Sequence, residues 1–182
     1  DGGKTFARKT NFGVSSPNAC KLMSFCDKNN GIVASKINLA ITSDGAETWK
    51  ALTPPTEIIA LRMESPEKFC CIGKDFNFYK TSDGGTTWEN APLNLPLGTE
   101  YLGEILNFAF SIDGEDMYTV FCIDKETKSI KSYSTADGWK TCTENTMPDV
   151  KATTGMLYLS HDGTVLTVTD ALSKKATAIG KQ

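Results

Sequence analysis

Arginine and histidine are scarce in this chain, and long apolar runs are missing. Among its 182 residues, arginine occurs only as Arg8 and Arg62, and the single histidine is His161. No apolar run approaches the roughly 20 residues that a membrane-spanning helix requires, so we expect no membrane-spanning segment. Lysine and arginine number 19 against 22 acidic residues. Because this balance creates no broad basic field for phosphates, we also expect no nucleic-acid partner.

The usual patterns of metal and cofactor sites are missing as well. His161 lies in a predicted turn and has no cysteine at metal-ligand spacing. The Asp-Gly-Gly segments lack the strand, glycine-rich turn and helix that a phosphate-binding loop needs. We therefore expect no metal and no cofactor, and the sequence assigns no residue a catalytic role.

The six cysteines are too few for a fold held mainly by disulfide bonds. Their even number favours a secreted or lumenal protein, and the start at Asp1 indicates a processed protein or part of a longer one. Cys70 and Cys71 are adjacent in a predicted strand, so their side chains should point to opposite faces. Two disulfide bonds are conceivable, and the sequence prefers neither: Cys122 with Cys142, and Cys20 with Cys26.

An eight-residue segment repeats along the chain. TSDGAETW at 42–49 returns as TSDGGTTW at 81–88 and as TADGWKTC at 135–142, and the chain opens on DGGKTF. An Asp followed by Gly suits a tight turn, because the carboxylate accepts backbone N–H bonds and Gly adopts positive φ. The threonine hydroxyl adds a local hydrogen bond, and the final aromatic residue is a large apolar plug.

These segments resemble the Asp-box, the repeat of bacterial neuraminidases. In that family the box closes the hairpin between the third and fourth strands of a β-propeller blade, and the resemblance implies the same place for these segments. The box residues, structural rather than functional, would be Asp1, Asp44, Asp83 and Asp137 with the aromatic Trp49 and Trp88. Trp139 occupies the glycine position of its box, so it either protrudes at the turn or repacks locally.

Paired strand patterns precede each repeat and support an all-β fold. Together with the repeats they predict a β-propeller of four-stranded antiparallel blades, about four in number, forming one domain over 1–182. The predicted blades are 11–53, 54–96, 97–149, and 150–182 completed by 1–10. The N- and C-terminal strands could pair to close the ring, or the chain could be part of a larger propeller.

Sialidases, the best-known enzymes with Asp-boxes, bind the substrate carboxylate with an arginine cluster. Two arginines cannot form that cluster, and lysine lacks the planar fork. Other box-bearing glycosidases use two acids across a cleft, and no pair stands out among Asp75, Glu104, Asp113 and Asp116. We therefore predict a non-catalytic binding or scaffolding module for a protein or glycan. The alternatives are a fragment of a larger glycoside hydrolase and an oligomeric lectin.

Two segments are candidate recognition surfaces. DFNFY at 75–79 concentrates aromatic residues, and ETKSIK at 126–131 is a polar hairpin tip. Both also suit ordinary strands and solvated turns. The candidate ligand-binding residues are Phe76, Phe78, Tyr79 and Trp139.

Overall fold

The computed structural model describes residues 5, 21–35, 37–95, 108–124, 127–145, 147, 151, 157–159, 165–170 and 175–179. All regular secondary structure in these ranges is β-strand, and the predicted all-β fold is confirmed. No helix in the described part of the chain could span a membrane. Several predicted features lie outside the described residues: the strand over 1–10 with Asp1, and the residues Arg8, Cys20, Glu104 and His161.

Three antiparallel sheets contain four strands each, in sequential order. Sheet 1 consists of β1 (Leu22–Phe25), β2 (Gly31–Ala34), β3 (Leu39–Thr42) and β4 (Lys50–Leu52). Sheet 2 consists of β5 (Ile58–Met63), β6 (Phe69–Gly73), β7 (Asn77–Thr81) and β8 (Glu89–Pro92). Sheet 3 consists of β9 (Phe108–Gly114), β10 (Met117–Ile123), β11 (Ile130–Thr135) and β12 (Thr143–Asn145). Each sheet lies within one predicted blade, while the exact blade limits and the single domain stay predictions.

A fourth sheet has three described strands, β13 (Leu157–Leu159), β14 (Val165–Asp170) and β15 (Lys175–Ile179). Its first strand packs beside β9, as β9 packs beside β5 and β5 beside β1. The first strands of successive sheets are therefore neighbours. Closure of the ring by 1–10 stays a prediction, since that segment, apart from residue 5, is outside the described residues.

The sheets pack face to face, and the alternation of side chains along each strand supplies both faces. In β6, Phe69 and Cys71 belong to the core shared with sheet 1, whereas Cys70 and Ile72 belong to the core shared with sheet 3. The predicted opposite orientation of Cys70 and Cys71 is thus confirmed. A strand covered on both faces needs apolar residues at nearly every position, and all five residues of β6 are buried.

The conceivable disulfide bonds are not formed. Cys26, Cys122 and Cys142 all carry free thiols. Cys122 is fully buried in the core, where a thiol packs as a small hydrophobic group. Cys142 is half-buried, and its Sγ donates to the carbonyl oxygen of Asn94 at 3.6 Å. Neither of the two conceivable pairs is therefore present, and the secreted or lumenal location stays a prediction.

Candidate functional site: a cleft between sheets 2 and 3

Three turns that share a core of hydrogen bonds join the third and fourth strands of sheets 1, 2 and 3. We call these segments, 42–49, 81–88 and 135–142, the DG turns. In sheet 2, the Asp83 carboxylate accepts hydrogen bonds from the backbone N–H groups of Thr86 and Thr87 at 3.0 and 2.9 Å. The hydroxyls of Thr81 and Thr87 donate to it at 2.8 and 2.7 Å. These bonds stabilise the ionised carboxylate and lower its pKa to about 2, led by the Thr87 hydroxyl.

The same arrangement recurs in the other two DG turns. Asp44 accepts from the Thr48 N–H at 2.9 Å, and Asp137 accepts from the Thr141 N–H at 2.9 Å. The pKa of each of these carboxyls is also about 2, because threonine hydroxyl and backbone N–H groups bond to the charged form. The carboxylates are therefore occupied in holding the turns.

Each DG turn is fastened to the hairpin between the first two strands of its own sheet. Two successive residues have positive φ, for example Gly84 at 69° and Gly85 at 84°. The N–H of Gly84 donates to the carbonyl of Glu67 at 3.0 Å, and the N–H of Gly138 donates to the carbonyl of Asp116 at 3.0 Å. In each of these three sheets, one end is thus a pair of turns linked by a backbone hydrogen bond.

The register of each sheet aligns four directly opposed residues, one per strand, next to the DG turn. We call this line on the face toward the following sheet the junction row. In sheet 1 it is Ser24, Ile32, Ile41 and Lys50. In sheet 2 it is Arg62, Cys70, Lys80 and Glu89. In sheet 3 it is Ser111, Thr119, Ser134 and Thr143.

A cleft opens where the junction row of sheet 2 meets sheet 3. It comprises two adjoining cavities of about 280 Å³ and about 290 Å³, and both are lined by Lys80, Glu89, Asp116 and Tyr118. We call this space the junction cleft. It lies at the end of the sheets that carries the DG turns, since residues of both the second and the third DG turn also line it.

An ion pair crosses the junction cleft. The Lys80 Nζ lies 2.8 Å from Asp116 Oδ1 and 3.4 Å from Glu89 Oε2. The hydrogen bond to Asp116 raises the pKa of Lys80. Asp116 has a positive φ of 55°, and its carbonyl accepts the Gly138 N–H, so its backbone is held by the third DG turn. The lysine thus links β7 of sheet 2 to the first hairpin of sheet 3.

The base of the junction cleft is uncharged. Tyr118 is 5% exposed and Cys70 is 6% exposed, and both line the cleft. Burial raises the pKa of Cys70 to about 12 and raises that of Tyr118, so both groups are neutral near pH 7. Phe78, Ala91 and Ile112 add apolar surface. The cleft therefore combines an apolar base with a charged rim.

Comparisons with known proteins identify the fold. No family model matches the chain, and no curated protein matches it. Among solved structures it is similar to YCF48 bound to a D1 peptide, at 21% identity and a TM-score of 0.57, over 84% of this chain and 48% of that one. The fold is a β-propeller.

Two further structures are similar to this propeller chain. The GH74 enzyme of Niastella koreensis matches at 14% identity and a TM-score of 0.54, over 89% of this chain and 30% of that enzyme. The computationally designed Ika4 protein matches at 12% and 0.52, over 98% of this chain and 100% of that one. The chain spans about half the length of YCF48 and about a third of the enzyme. At these identities the likeness shows the fold alone.

Trp139 does not protrude from the propeller. It is 2% exposed, it has a positive φ of 73°, and its indole stacks parallel to the Tyr118 ring at 6.4 Å. In sheet 2 the corresponding aromatic contact is made by Trp88, edge-on to Phe69 at 5.5 Å. In sheet 3 the Trp88 position holds Cys142, so Trp139 supplies the missing aromatic plug from the glycine position.

The other candidate ligand-binding residues are not brought together on one surface. Phe78 is 2% exposed and packs on Tyr118 and Trp139. Of the four candidates, it alone is among the residues that line the junction cleft. Phe76 packs edge-on to Phe108 at 5.8 Å. The Tyr79 hydroxyl donates to Asp75 at 2.5 Å, at the turn between β6 and β7.

The sequence interpretation missed Lys80 and Glu89 and did not single out Asp116. A signal did exist, because Lys80 immediately precedes its DG turn and Glu89 immediately follows it, so the two must lie opposite each other. Asp116 is 36 positions away from Lys80, and only the packing of neighbouring blades brings it to the ammonium group. That contact could not be found from local pattern.

Proposed function

We propose that this chain is a non-catalytic β-propeller module that binds a segment of another protein in the junction cleft. The observation that supports this proposal is the cleft itself, which lies between two four-stranded sheets and has charged groups at its rim and apolar groups at its base. Clefts of this mixed kind suit ligand recognition. The YCF48 structure of similar fold is described as bound to a D1 peptide, which supports a peptide ligand. In this proposal the DG turns are Asp-boxes with a structural role.

The experiment is a selection from a displayed library of random twelve-residue peptides against the whole chain. Enriched peptides are then measured by fluorescence anisotropy on the parent chain and on Ala91→Phe, which fills the cleft from β8. We expect the substitution to weaken binding at least about tenfold, equivalent to about 1.4 kcal/mol. Retained binding by Ala91→Phe, with its thermal unfolding unchanged, would remove the cleft as the site.

A glycoside hydrolase is the second candidate, because the GH74 enzyme has a similar fold. It makes a different prediction, namely release of reducing sugar from β-glucan polysaccharides. That assay is run on the same preparation. If the chain releases reducing sugar and the Asp116→Asn variant does not, the proposal of an enzyme replaces that of a binding module.

A further inference from the structure

The walls of the junction cleft carry more negative than positive charge. The carboxylates at its lining are those of Glu64, Glu89, Glu115, Asp116 and Asp137. The lysines there are Lys68, Lys80 and Lys140. The Lys80 ammonium is already shared between Asp116 and Glu89. Glu64 and Glu115 are exposed at the rim, where a ligand can reach them.

The base of the cleft has a different chemistry from its rim. The half-buried Ala91 and Ile112 supply carbon surface, and the uncharged Tyr118, which is 5% exposed, lies beneath them. Arginine and lysine side chains have the complementary build, because their methylene stems pack on apolar surface while the charged end seeks carboxylates. A simple anionic ligand would be repelled by the excess carboxylates, and it would have no apolar part to pack on the base.

The position between Asp116 and Glu89 already holds a cationic group, the Lys80 ammonium. Its Nζ lies at hydrogen-bonding distance from Asp116 and within ion-pair distance of Glu89, although its side chain is 38% exposed. A long exposed lysine side chain is mobile, and an exposed ion pair contributes little free energy. A guanidinium offers five donors in a planar fork and can therefore contact both carboxylates as Lys80 shifts toward solvent.

We propose that the junction cleft takes up a cationic side chain of the bound peptide, with a guanidinium preferred over an ammonium. This inference rests on the proposed function and names the ligand chemistry of the same site. Asp116 and Glu89 bind the charge, the half-buried Ala91 and Ile112 pack on the stem, and Lys80 is the internal cation with which the ligand competes.

The test uses the whole chain and a fluorescein-labelled Gly-Ser-Gly-Arg-Gly-Ser-Gly peptide. Its control contains citrulline, which keeps the shape of arginine without the charge. We expect the arginine peptide to bind at least about tenfold more tightly, with an affinity that falls as salt rises. Asp116→Asn and Glu89→Gln should each weaken it several-fold, whereas Lys80→Met should strengthen it. Glu144→Gln, an exposed carboxylate of β12 outside the cleft, is the matched control and should change nothing.

The outcomes separate this inference from the proposed function. Equal binding of the arginine and citrulline peptides would overturn the cation preference, and so would a lack of response to Asp116→Asn and Glu89→Gln. The selection could also enrich peptides that contain no basic residue and bind more weakly to Ala91→Phe. That result would overturn the cation preference but would leave the cleft as the peptide site. Asparagine tolerates the positive φ of residue 116, so the Asp116→Asn variant should fold.

Discussion

The junction between sheets 1 and 2 and the junction between sheets 2 and 3 share one backbone plan but differ in chemistry. At the first, the junction row presents Ile32 and Ile41, and the Ser24 hydroxyl accepts the Met63 N–H of the next sheet at 2.9 Å in a buried bond. At the second, the same positions hold Cys70 and Lys80, and Lys80 reaches Asp116 across an open cleft. The backbone register therefore sets where the blades meet, and the side chains decide whether apolar or charged groups line the junction.

The aromatic plugs differ in the same way. Trp88 sits at the end of its DG turn and packs on Phe69 beside the first junction, whereas Trp139 enters the second junction from the turn itself. Trp139 also contacts Phe78 of the preceding sheet at 5.9 Å. The second junction thus depends on one buried indole held at an unfavourable φ.

Replacing that indole should produce the largest effect. Trp139→Gly removes a fully buried Trp, which costs about 3–5 kcal/mol, and relieves about 1 kcal/mol of positive-φ strain. We expect a net loss of about 2–4 kcal/mol in the free energy of unfolding, measured by urea denaturation. Trp88→Ala is the comparison, and it should cost less because Trp88 is only half-buried. Equal costs would mean that the two plugs are equivalent and that the contrast between the junctions is wrong.

The first junction can be perturbed by a substitution in the DG turn of sheet 2, which lies against sheet 1. A Cβ on Gly85 would lie 2.9 Å from Leu52 Cδ1 of sheet 1 and 3.1 Å from the Phe69 ring. Gly85→Ala should therefore cost about 1–3 kcal/mol, from positive φ together with overpacking. Gly84→Ala is the matched control, since it has a similar φ but meets only the Pro66 carbonyl at 3.7 Å. Its cost should be about 1 kcal/mol, and a Gly85 variant no worse than this would argue against close packing there.

The DG turns common to both junctions predict an acid response. The carboxyls of Asp44, Asp83 and Asp137 have a folded pKa of about 2, below the unfolded value of about 3.9. A lowered folded pKa stabilises the protein above the unfolded pKa, and this contribution is lost as pH falls toward 2. Urea midpoints should therefore drop between about pH 4 and pH 2. The Asp83→Asn variant should be less stable at pH 6 and show a shallower drop, and an unchanged pH profile would contradict the role of the turn.

Sequence patterns reveal the strands and turns of this propeller better than they reveal the cleft. Strand alternation and the repeated Asp-Gly turn are local features. The strand pairs β2–β3, β5–β6 and β6–β7, whose turns lie at Ser35, at Ser65 and just before Asn77, could therefore be predicted from neighbouring residues alone. The inward orientation of Trp139 could not be predicted in this way. It depends on Cys142, which stands where the other two repeats have tryptophan, and on the space beside Tyr118. The Lys80 to Asp116 contact depends on the packing of one blade against the next.

The smallest expected effect concerns the ion pair that distinguishes the second junction. Lys80 and Asp116 have side chains 38% and 44% exposed, and pairs of this exposure contribute about 0–1 kcal/mol. A double-mutant cycle with Lys80→Met and Asp116→Asn, measured by urea denaturation, should give a coupling within that range. A small coupling means that the charges add little to the junction that they span, which is expected of groups available to a ligand. A coupling well above 1 kcal/mol would instead make the pair a structural clasp between blades, and Lys80 could not yield to an incoming cation.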